Sequence, residues 1–324
     1  MKTVLVTGGA GFIGSHICDR LIQLNYRVKC IENLSNGSRD NIQHLIEHDN
    51  FHFHCMDIND LTADTLQDVD MICHQAAIGS VPKSIAMPEE YHKSNVTGFF
   101  HLINLAKNAN IKRFVYASSS SVYGDDTTLP KQESKTGNAL SPYAATKQMN
   151  ESYANVFAKC YGMETIGLRY FNVFGPRQNP YGDYAAVIPK FILNALTGKV
   201  STINGDGSFA RDFTYIENVV NANVLALHTT DDNCFGTAFN IGAGGNTTIL
   251  DLFHAIRMLS MQYVKMVDVV RHGPERKGDI PFSSADITKA NKYLNYIPSI
   301  DIHEGLKNTI EYFNENKFDS AISE

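Results

Sequence analysis

Short apolar runs alternate with longer amphipathic segments through the first half of the chain. The predicted strands are Thr3–Thr7, Arg27–Ile31, Phe51–Cys55, Met71–His74, Arg113–Ser118 and Thr165–Arg169. They are rich in β-branched residues and often apolar throughout, which is typical of strands covered on both faces. Helices are predicted between them, for instance at Phe12–Leu24, Glu89–Asn108 and Pro142–Tyr161. Because this alternation implies right-handed crossovers, it predicts an α/β fold with a Rossmann-type, doubly wound parallel sheet.

A glycine-rich segment, VTGGAGFIGSH, joins the first predicted strand to the first helix. Gly8 permits a tight turn, Gly11 lets the backbone approach a pyrophosphate, and Gly14 allows the helix to pack closely on the strand. The N-terminus of the helix supplies free N–H groups and a partial positive charge. Such a glycine string is a weak signal alone, but its place between a strand and a helix predicts dinucleotide binding.

Two acidic residues end the second and third strands. Glu32 lies about twenty residues after the glycines, where a carboxylate accepts hydrogen bonds from ribose hydroxyls and repels a 2′-phosphate. This favours NAD over NADP, although Lys29 and Arg39 lie nearby. Asp57 is placed to reach the adenine, and an ordinary turn-capping aspartate fits the same spacing.

The alternation loosens after Asn172, where loops rich in Gly, Pro and Asn appear. Helices are predicted at Val187–Leu196, Ile249–Ser260 and His303–Asn314, with short strands between them. We therefore expect a smaller, mixed α/β lobe that closes over the carboxyl ends of the sheet. Residues 1–171 would form the NAD-binding domain, with returning segments around 212–243, and residues 172–324 mainly the substrate-binding lobe.

Composition excludes several classes of function. The formal net charge of −6 argues against nucleic-acid binding, which needs a basic surface. No apolar run reaches the ~20 residues of a membrane span, and the N-terminus lacks the features of a signal peptide. We expect a cytoplasmic protein with no membrane partner. The six cysteines form no CxxC pair and are expected to be buried thiols, and the histidines form no metal-binding pattern.

The segment SPYAATKQMNE is the most informative about chemistry. Tyr143 and Lys147 are four residues apart and share one face of a helix, which Ser141 and Pro142 are suited to begin. A tyrosine with a pKa of ~10 is a poor base near neutral pH, but an adjacent ammonium stabilises the phenolate. Tyr143 is therefore a candidate base for a sugar hydroxyl that loses a hydride to NAD. Upstream, the serines of SSSSVYG end a strand, where hydroxyls face the ligand crevice.

Together these motifs resemble the extended short-chain dehydrogenase/reductase family across nearly the whole chain. The resemblance rests on TGGAGFIG, DMICHQAA, SNVTGFF, SSSSVYG, YAATK and LRYFNVFGPRQ. It implies catalytic roles for Ser119, Tyr143 and Lys147, and a nucleotide-sugar substrate. It implies cofactor contacts from Gly8, Gly11, Phe12, Ile13, Gly14, Glu32, Asn33, Asp57, Ile58, Gln75, Ala76, Ala77, Asn95, Tyr143, Lys147 and Tyr170.

Two serines discriminate between reactions within this family. Nucleotide-sugar 4,6-dehydratases carry an Asp–Glu pair after the catalytic serine, and UDP-glucuronate decarboxylases typically carry a Glu just before VYG. This chain has Ser120 and Ser121 there, which are neither acids nor bases near neutral pH. The resemblance therefore implies a C4 epimerase that oxidises the sugar, lets the 4-keto sugar rotate, and reduces its opposite face.

Rotation needs an anchor remote from the reacting ring. Asn172, Arg211, Arg276 and Asp279 are the candidates, and the two arginines are suited to a diphosphate.

The strings RQNPYGDYAAVIPKF and FSSAD resemble the UDP-sugar 4-epimerases that prefer N-acetylated hexosamines, which usually feed surface polysaccharide synthesis. In this subgroup a small residue leaves room for an acetamide where a tyrosine restricts the enzyme to plain hexoses, and alignment places Ser283 at this position. The residues expected to line the substrate site are Gly79, Ser119, Ser120, Ser121, Tyr143, Asn172, Gln178, Ala186, Val187, Arg211, Arg276, Asp279 and Ser283. Thr202 departs from the subgroup, because relatives often have an aromatic residue near the uracil there.

Several alternatives stay open. They are an epimerase of UDP-glucose/galactose or of N-acetylhexosaminuronates, a dehydratase or 4-keto reductase on the same scaffold, and a non-catalytic dinucleotide-binding protein. The family commonly dimerises through two helices of each subunit. Here these would be Glu89–Asn108 and Pro142–Tyr161, and Phe99, Phe100, Tyr153 and Phe157 are the candidate contacts of a homodimer.

Overall fold

A computed structural model describes residues 1–181, 185–264, 270–274 and 282–316. Within these ranges the strands are β1 (Thr3–Thr7), β2 (Arg27–Glu32), β3 (Phe51–Cys55), β4 (Met71–His74), β5 (Arg113–Ser119), β6 (Glu164–Tyr170), β7 (Val173–Phe174), β8 (Ser201–Asn204), β9 (Ala210–Arg211), β10 (Thr214–Tyr215), β11 (Thr237–Ile241), β12 (Thr247–Thr248), β13 (Val270–Gly273) and β14 (Phe282–Ser283). The α-helices are α1 (Phe12–Gln23), α2 (Val81–Ala86), α3 (Pro88–Tyr91), α4 (Gly98–Asn108), α5 (Pro142–Tyr161), α6 (Val187–Thr197), α7 (Ile216–His228), α8 (Ile249–Ser260), α9 (Thr288–Leu294) and α10 (Ile302–Glu315).

Seven strands form one parallel sheet in the order β3-β2-β1-β4-β5-β6-β11. The direction of the strand order reverses between β1 and β4, so a crevice opens beyond their carboxyl ends. Ligands of doubly wound sheets bind at such a reversal. The predicted fold class is confirmed.

Helices cover both faces of the sheet. The side chains of Val4 and Val6 pack into the apolar cluster that contains residues of α1 and α7, whereas Leu5 packs into the cluster on the α4 and α5 side. Successive residues of a strand point to opposite faces, and both faces are apolar here. This explains why β1 and β4 are apolar runs with every residue buried.

Helix α5 begins and ends at the predicted residues because its caps are local. The hydroxyl of Ser141 accepts a hydrogen bond from the amide of Ala144 at 3.1 Å, and Pro142 occupies the first turn. Gly162 ends the helix with φ +66°. The caps therefore fix where the Tyr143 and Lys147 side chains sit relative to the sheet.

The helix predicted at Glu89–Asn108 is in fact three pieces. α3 is followed by a π-helical turn at His92–Thr97 and then by α4. This π turn holds Asn95, whose amide nitrogen donates to the carbonyl of Ile78 at 3.1 Å. A hydrophobic pattern does not reveal this tertiary contact, which accompanies the local change of helical register.

The C-terminal part contributes α6, α8, α10 and small sheets of two or three strands, β10-β7, β12-β9-β14 and β13-β8. Leu252, Ile256 and Ile310 from its helices join the same apolar cluster as α1 and α7. The lobe therefore packs on the sheet domain through a shared core. None of the helices in the described ranges is both long and apolar enough to cross a membrane.

All six cysteines are free thiols. Cys18, Cys30, Cys73 and Cys234 are buried as expected, but Cys55 and Cys160 are exposed. The expectation of burial is wrong for these two because Cys55 ends the edge strand β3 and Cys160 lies in the last turn of α5.

Candidate active site

The glycine-rich turn is too tightly packed for larger residues. Gly8 has φ +68°, and a Cβ there would lie 2.7 Å from the amide nitrogen of Ala76. A Cβ on Gly14 would lie 2.1 Å from the carbonyl oxygen of Gly8. Both distances are well inside van der Waals contact. The turn therefore lies against the start of the β4 loop, and helix α1 lies against the turn, so closely that only glycine fits at these two positions.

The N-terminus of α1 is available to an anion. Gly11 is its N-cap and offers no side chain, and the first turn, which is described throughout, contains no acidic residue. Phe12 and Ile13 are half-buried and pack against the apolar core. The free N–H groups and the helix dipole thus remain for a phosphate.

Glu32 ends β2 beside this turn. Its Oε1 accepts a hydrogen bond from the amide of Leu34 at 2.9 Å, and a Cβ on Gly37 would come within 2.8 Å of its Oε2. Burial raises the pKa of Glu32, while backbone hydrogen bonds from Leu34, Ala10 and Asn33 oppose this. The carboxylate is thereby oriented by the turn after β1 and the loop after β2.

Asp57 and Asn33 form a linked pair at the ends of β3 and β2. Nδ2 of Asn33 donates to Oδ2 of Asp57 at 2.7 Å, and Asn59 donates to Oδ1 through its amide nitrogen at 2.9 Å and its side chain at 2.7 Å. Burial opposes ionisation, but these hydrogen bonds outweigh it and lower the pKa of Asp57. Ile58 is buried directly after it.

The loop after β4 carries Gln75, Ala76 and Ala77. Gln75 belongs to a closed ring of hydrogen bonds. The Tyr170 hydroxyl donates to Oε1 of Gln75 at 3.0 Å and accepts from Nδ2 of Asn223 at 2.9 Å, and Nε2 of Gln75 donates to Oδ1 of Asn223 at 3.0 Å. Sequence reasoning missed Asn223, whose signal is an amide on an otherwise apolar face of α7.

Asn95 holds the continuation of that loop. Its Oδ1 accepts from the amide of Ile78 at 2.8 Å, and its Nδ2 donates to the carbonyl of Ile78 and to Oγ1 of Thr146 at 3.3 Å. Asn95 is 1% exposed. It therefore joins the β4 loop to α5, close to the predicted catalytic residues.

Tyr143, Lys147 and Ser119 meet at the carboxyl end of β5. Lys147 lies one helical turn after Tyr143, with its Nζ 5.9 Å from the centre of the tyrosine ring. The ammonium donates to the carbonyl of Ala117 at 2.8 Å and is 2% exposed. Tyr143 also packs edge-to-face on Tyr91, at 6.3 Å between ring centres.

The ionisation of this pair is set by opposing effects. Burial raises the pKa of Tyr143, and a hydrogen bond from Ser119 opposes that rise. Burial lowers the pKa of Lys147 to about 8, and the charge of Glu151 opposes that fall. A phenolate here consequently depends on nearby donors and cations.

Ser119, Ser120 and Ser121 begin a short 3₁₀ turn, Ser120–Tyr123. Oγ of Ser119 accepts from the amide of Ser121 and donates to its hydroxyl, both at 3.1 Å. The Ser119 hydroxyl has a single proton, so it donates either to Ser121 or to Tyr143 at one time.

A cavity of about 1040 Å³ lies between the sheet domain and the C-terminal lobe. It brings together five of the predicted substrate residues, which are Asn172, Gln178, Ala186, Val187 and Arg211. Thr202 and Ser80 also line it, and Gly79 precedes Ser80 with open space where a Cβ would be. Five of the thirteen predicted substrate residues therefore line this cavity, whereas Ser119, Ser120, Ser121 and Tyr143 are not among its lining residues.

Ser283 is placed beside a cavity residue by strand pairing. It is opposite Arg211 in the parallel β14–β9 register. Its carbonyl accepts from the amide of Asp212 at 2.8 Å. Arg276 and Asp279, the other two predicted anchors, lie outside the described residues.

Asp212 is a buried carboxylate that sequence reasoning missed. It accepts hydrogen bonds from the amides of Ala243 at 2.9 Å, Gly244 at 3.0 Å and Ala285 at 3.2 Å. Its own carbonyl accepts from Nδ2 of Asn172. Burial raises the pKa of Asp212, and the backbone donors oppose the rise. The sequence shows an aspartate between Arg211 and Phe213. It does not show that this carboxylate is buried, because the amides that bind it lie far along the chain.

A second missed group is the ion pair of Glu151 and Arg169 beneath the active site. Nη2 of Arg169 lies 2.7 Å from Oε2 of Glu151, and Nε lies 2.9 Å from Oε1. The Ser118 hydroxyl donates to the same carboxylate at 2.6 Å. Glu151 extends the Tyr143–Lys147 stripe of α5 by one turn, which is the only sequence signal for it.

Residues 4–242 match the model of the NAD dependent epimerase/dehydratase family. The chain belongs to this family. NAD is therefore the cofactor, as expected, and the resemblance inferred from the sequence is confirmed.

Individual relatives of the chain are named as 4-epimerases of UDP-sugars. A "Putative UDP-glucose 4-epimerase" of Methanocaldococcus jannaschii is 36% identical over 97% of this chain and 99% of its own length. The structure of a UDP-N-acetylglucosamine 4-epimerase from Methanobrevibacter ruminantium in complex with UDP-N-acetylmuramic acid is 39% identical, with a TM-score of 0.91 over 97% of this chain and 99% of the other. A UDP-glucuronic acid 4-epimerase from Bacillus cereus in complex with UDP-glucuronic acid and NAD is 33% identical, with a TM-score of 0.89 over 97% and 99%. These relatives support the predicted NAD-dependent nucleotide-sugar 4-epimerase.

Proposed function

We propose that this chain is a UDP-N-acetylglucosamine/UDP-N-acetylgalactosamine 4-epimerase. It would oxidise the sugar transiently at C4, release the 4-keto sugar to rotate about its diphosphate, and reduce the opposite face. The observation that carries this proposal is the convergence of Tyr143, Ser119 and Lys147 at the end of β5, with only serines at 120 and 121. Elimination would need an acid at those two positions.

The residues around the glycine turn fit NAD. The uncapped N-terminus of α1 suits a pyrophosphate, and the Glu32 carboxylate at the end of β2 suits ribose hydroxyls. A side chain at Gly8 or Gly14 would clash with the neighbouring backbone and distort the turn. NAD bound there supplies the acceptor and donor of hydride. We also assign Asp57, Asn33 and Ile58 to the adenosine side, and Gln75, Ala76, Ala77, Asn95 and Tyr170 to the nicotinamide side.

Each member of the catalytic group has a distinct task. The Tyr143 phenolate takes the proton of the C4 hydroxyl and returns it in the second half of the reaction. Ser119 donates a hydrogen bond to the reacting oxygen or to the tyrosine. The Lys147 ammonium stabilises the phenolate electrostatically.

The interlobe cavity supports binding of a sugar nucleotide whose ring turns over. The anchor must contact the nucleotide and diphosphate and leave the sugar free. Asn172, Val187 and Arg211 line the cavity, and Arg211 suits a diphosphate. Arg276 and Asp279 are retained as proposed anchors. Residues 1–171 would thus bind NAD and residues 172–324 mainly the substrate.

Room near the reacting sugar supports an acetylated substrate. Gly79 has open space in place of a side chain, and Ser283 is a small residue beside Arg211. Gln178 and Ala186 line the same cavity. An acetamide at C2 needs this volume, whereas a tyrosine at 283 would fill it.

We also propose a homodimer and a cytoplasmic location. Phe100 and Tyr153 form an exposed ring pair on α4 and α5, 5.1 Å between centres, which supports a contact there. Phe99 and Phe157, named from the sequence as contacts, are instead buried in the core. The exposed free thiols of Cys55 and Cys160 support a reducing compartment. There the enzyme would supply surface polysaccharide synthesis.

Purified enzyme incubated with UDP-GlcNAc should produce UDP-GalNAc, resolved by NMR. Parallel reactions with UDP-glucose and with a UDP-N-acetylhexosaminuronate define the preferred sugar. Absence of UDP-GalNAc would reject the proposal. Net accumulation of NADH or of a 4-keto-6-deoxy sugar would instead identify a reductase or dehydratase.

Ser283→Tyr should lower kcat/KM for UDP-GlcNAc by roughly 10- to 100-fold and spare UDP-glucose. The reason is a steric clash of ~1–3 kcal/mol with the acetamide. Ser283→Ala keeps the space open and serves as the matched control, with both substrates retained. Equal loss of the two activities in Ser283→Tyr would contradict the steric argument.

A further inference from the structure

The stripe of α5 that carries Tyr143 and Lys147 continues to a charged residue outside the cavity. Residues 143, 147 and 151 are spaced by four and lie on one helix face. Glu151 touches neither the cavity nor the glycine turn. Its carboxylate instead points to the sheet beneath the active site, where it meets Ser118 and Arg169.

The carboxylate is held by three donors at short distances. Ser118 Oγ lies at 2.6 Å and Arg169 contributes the Nε and Nη2 contacts at 2.9 and 2.7 Å. Arg169 is itself fixed by donating to the Tyr123 hydroxyl at 3.0 Å and to the carbonyl of Glu133 at 3.3 Å. Such a bidentate pair has little freedom to rearrange.

Lys147 needs an anionic neighbour because its surroundings oppose its charge. It is buried, and its ammonium has the Ala117 carbonyl as an acceptor. From β4 it faces His74, whose pKa burial and the Lys147 charge lower to about 3, so that ring is neutral. On the π turn, the neutral amide of Asn95 contacts Thr146, the residue before Lys147, and on β6 the cation Arg169 contacts the Glu151 carboxylate.

We propose that Glu151 is a positioning residue that keeps Lys147 an ammonium, held in register by Arg169 and Ser118. The inference rests on the proposed roles of Tyr143 and Lys147. Glu151 supplies a negative charge one turn from Lys147, and Arg169, on the far side of that carboxylate, moderates it. The two substitutions that break the pair therefore act on Lys147 in opposite directions.

Glu151→Gln preserves the side-chain shape and removes the charge. It removes the anion one turn from Lys147 and leaves the Arg169 cation uncompensated, so the lysine loses its proton at lower pH. We expect the alkaline limb of the kcat profile to move down by about one pH unit. KM for the UDP-sugar should not change, because Glu151 does not contact the cavity.

Arg169→Gln removes the opposing cation and leaves the Glu151 charge. The same limb should then move to higher pH. Glu151→Asp keeps the charge and should keep the wild-type alkaline limb. It tests the need for a negative charge even if Glu151→Gln folds poorly. Glu164→Gln is the matched control, because it breaks the 2.7 Å pair with Arg113 at the opposite ends of β5 and β6. It should leave the limb in place.

The measurement is the pH dependence of kcat for each purified holoenzyme. An unmoved limb in both Glu151→Gln and Arg169→Gln, or shifts in the same direction, would overturn the proposal and make the pair purely structural. Full activity of Tyr143→Phe would instead overturn the underlying catalytic roles. The two failures are thereby distinguished.

Discussion

Burial raises the pKa of Tyr143 and lowers that of Lys147 to about 8, so the site opposes charge on both groups of the proposed catalytic pair. A phenolate and an ammonium that lie side by side favour each other's charged form, because the opposite charges attract. The Ser119 hydrogen bond adds to the phenolate side. We therefore expect ionisation of this pair to depend on Tyr143, Lys147 and Ser119 together.

Lys147→Met should remove the cation that stabilises the phenolate. The acidic limb of the kcat profile should move to higher pH, and kcat near neutral pH should fall by about 10²- to 10⁴-fold. Lys159→Met, at an exposed lysine of the same helix, is the control and should keep the wild-type profile. An unchanged limb in Lys147→Met would contradict the electrostatic role.

His74 makes a prediction about stability. Its ring is buried against Phe99 and Phe114, and burial and Lys147 lower its pKa to about 3 from 6.5. The unfolded chain takes up this proton below about pH 6.5 and the folded chain does not. The contribution of the neutral His74 ring to the free energy of unfolding is therefore fully present above pH 6.5. As the pH falls from there toward 3, it is lost at about 1.4 kcal/mol per pH unit.

Urea unfolding of the wild type and of His74→Asn between about pH 7 and about pH 5 measures this. The free energy of unfolding of the variant should decline less steeply as the pH falls. The difference in slope should correspond to the uptake of roughly one proton on unfolding. Parallel declines in the two proteins would show that the ring titrates in the folded state.

At the scale of helices and strands, local signals determined what could be predicted. α5 has its N-cap, first-turn proline and C-terminal glycine within its own sequence, and its bounds were predicted to the residue. Six of the seven strands of the sheet were predicted to within one residue at each end, but β11 was not predicted. The π turn at His92–Thr97 was not, because its Asn95 contacts lie across the fold.

The exposed faces of α4 and α5 predict how two subunits would meet. Met149, Tyr153 and Val156 follow helical spacing on α5 and are each 39–49% exposed, beside Phe100 on α4. A stripe of this kind is unfavourable in water and suits a contact between helices.

Met149→Glu should therefore shift the enzyme toward a monomer, measured by sedimentation velocity across a concentration series. Met258→Glu, at a methionine of α8 that is 68% exposed, is the matched control and should leave the distribution unchanged. A dimer that survives Met149→Glu, or a monomeric wild type, would contradict this helix contact.

At the scale of the whole molecule, sequence analysis identified six strands of the sheet, the glycine turn and five of the residues that line the cavity. It missed the groups that tie distant segments together. Asn223 on α7 completes a ring with Gln75 and Tyr170, and Arg169 on β6 pairs with Glu151 on α5. A sequence shows each residue type but not its partner, because these contacts form only when the sheet and helices assemble.

Asp212 shows what such a partner implies for dissecting the chain. The family model ends at residue 242, yet the amides that satisfy this carboxylate belong to Ala243, Gly244 and Ala285. A fragment truncated at the family boundary would keep the anion and discard its donors, leaving a desolvated charge in the interior. The minimal autonomous unit is therefore longer than the conserved module, and a cofactor-binding half should not survive excision on its own.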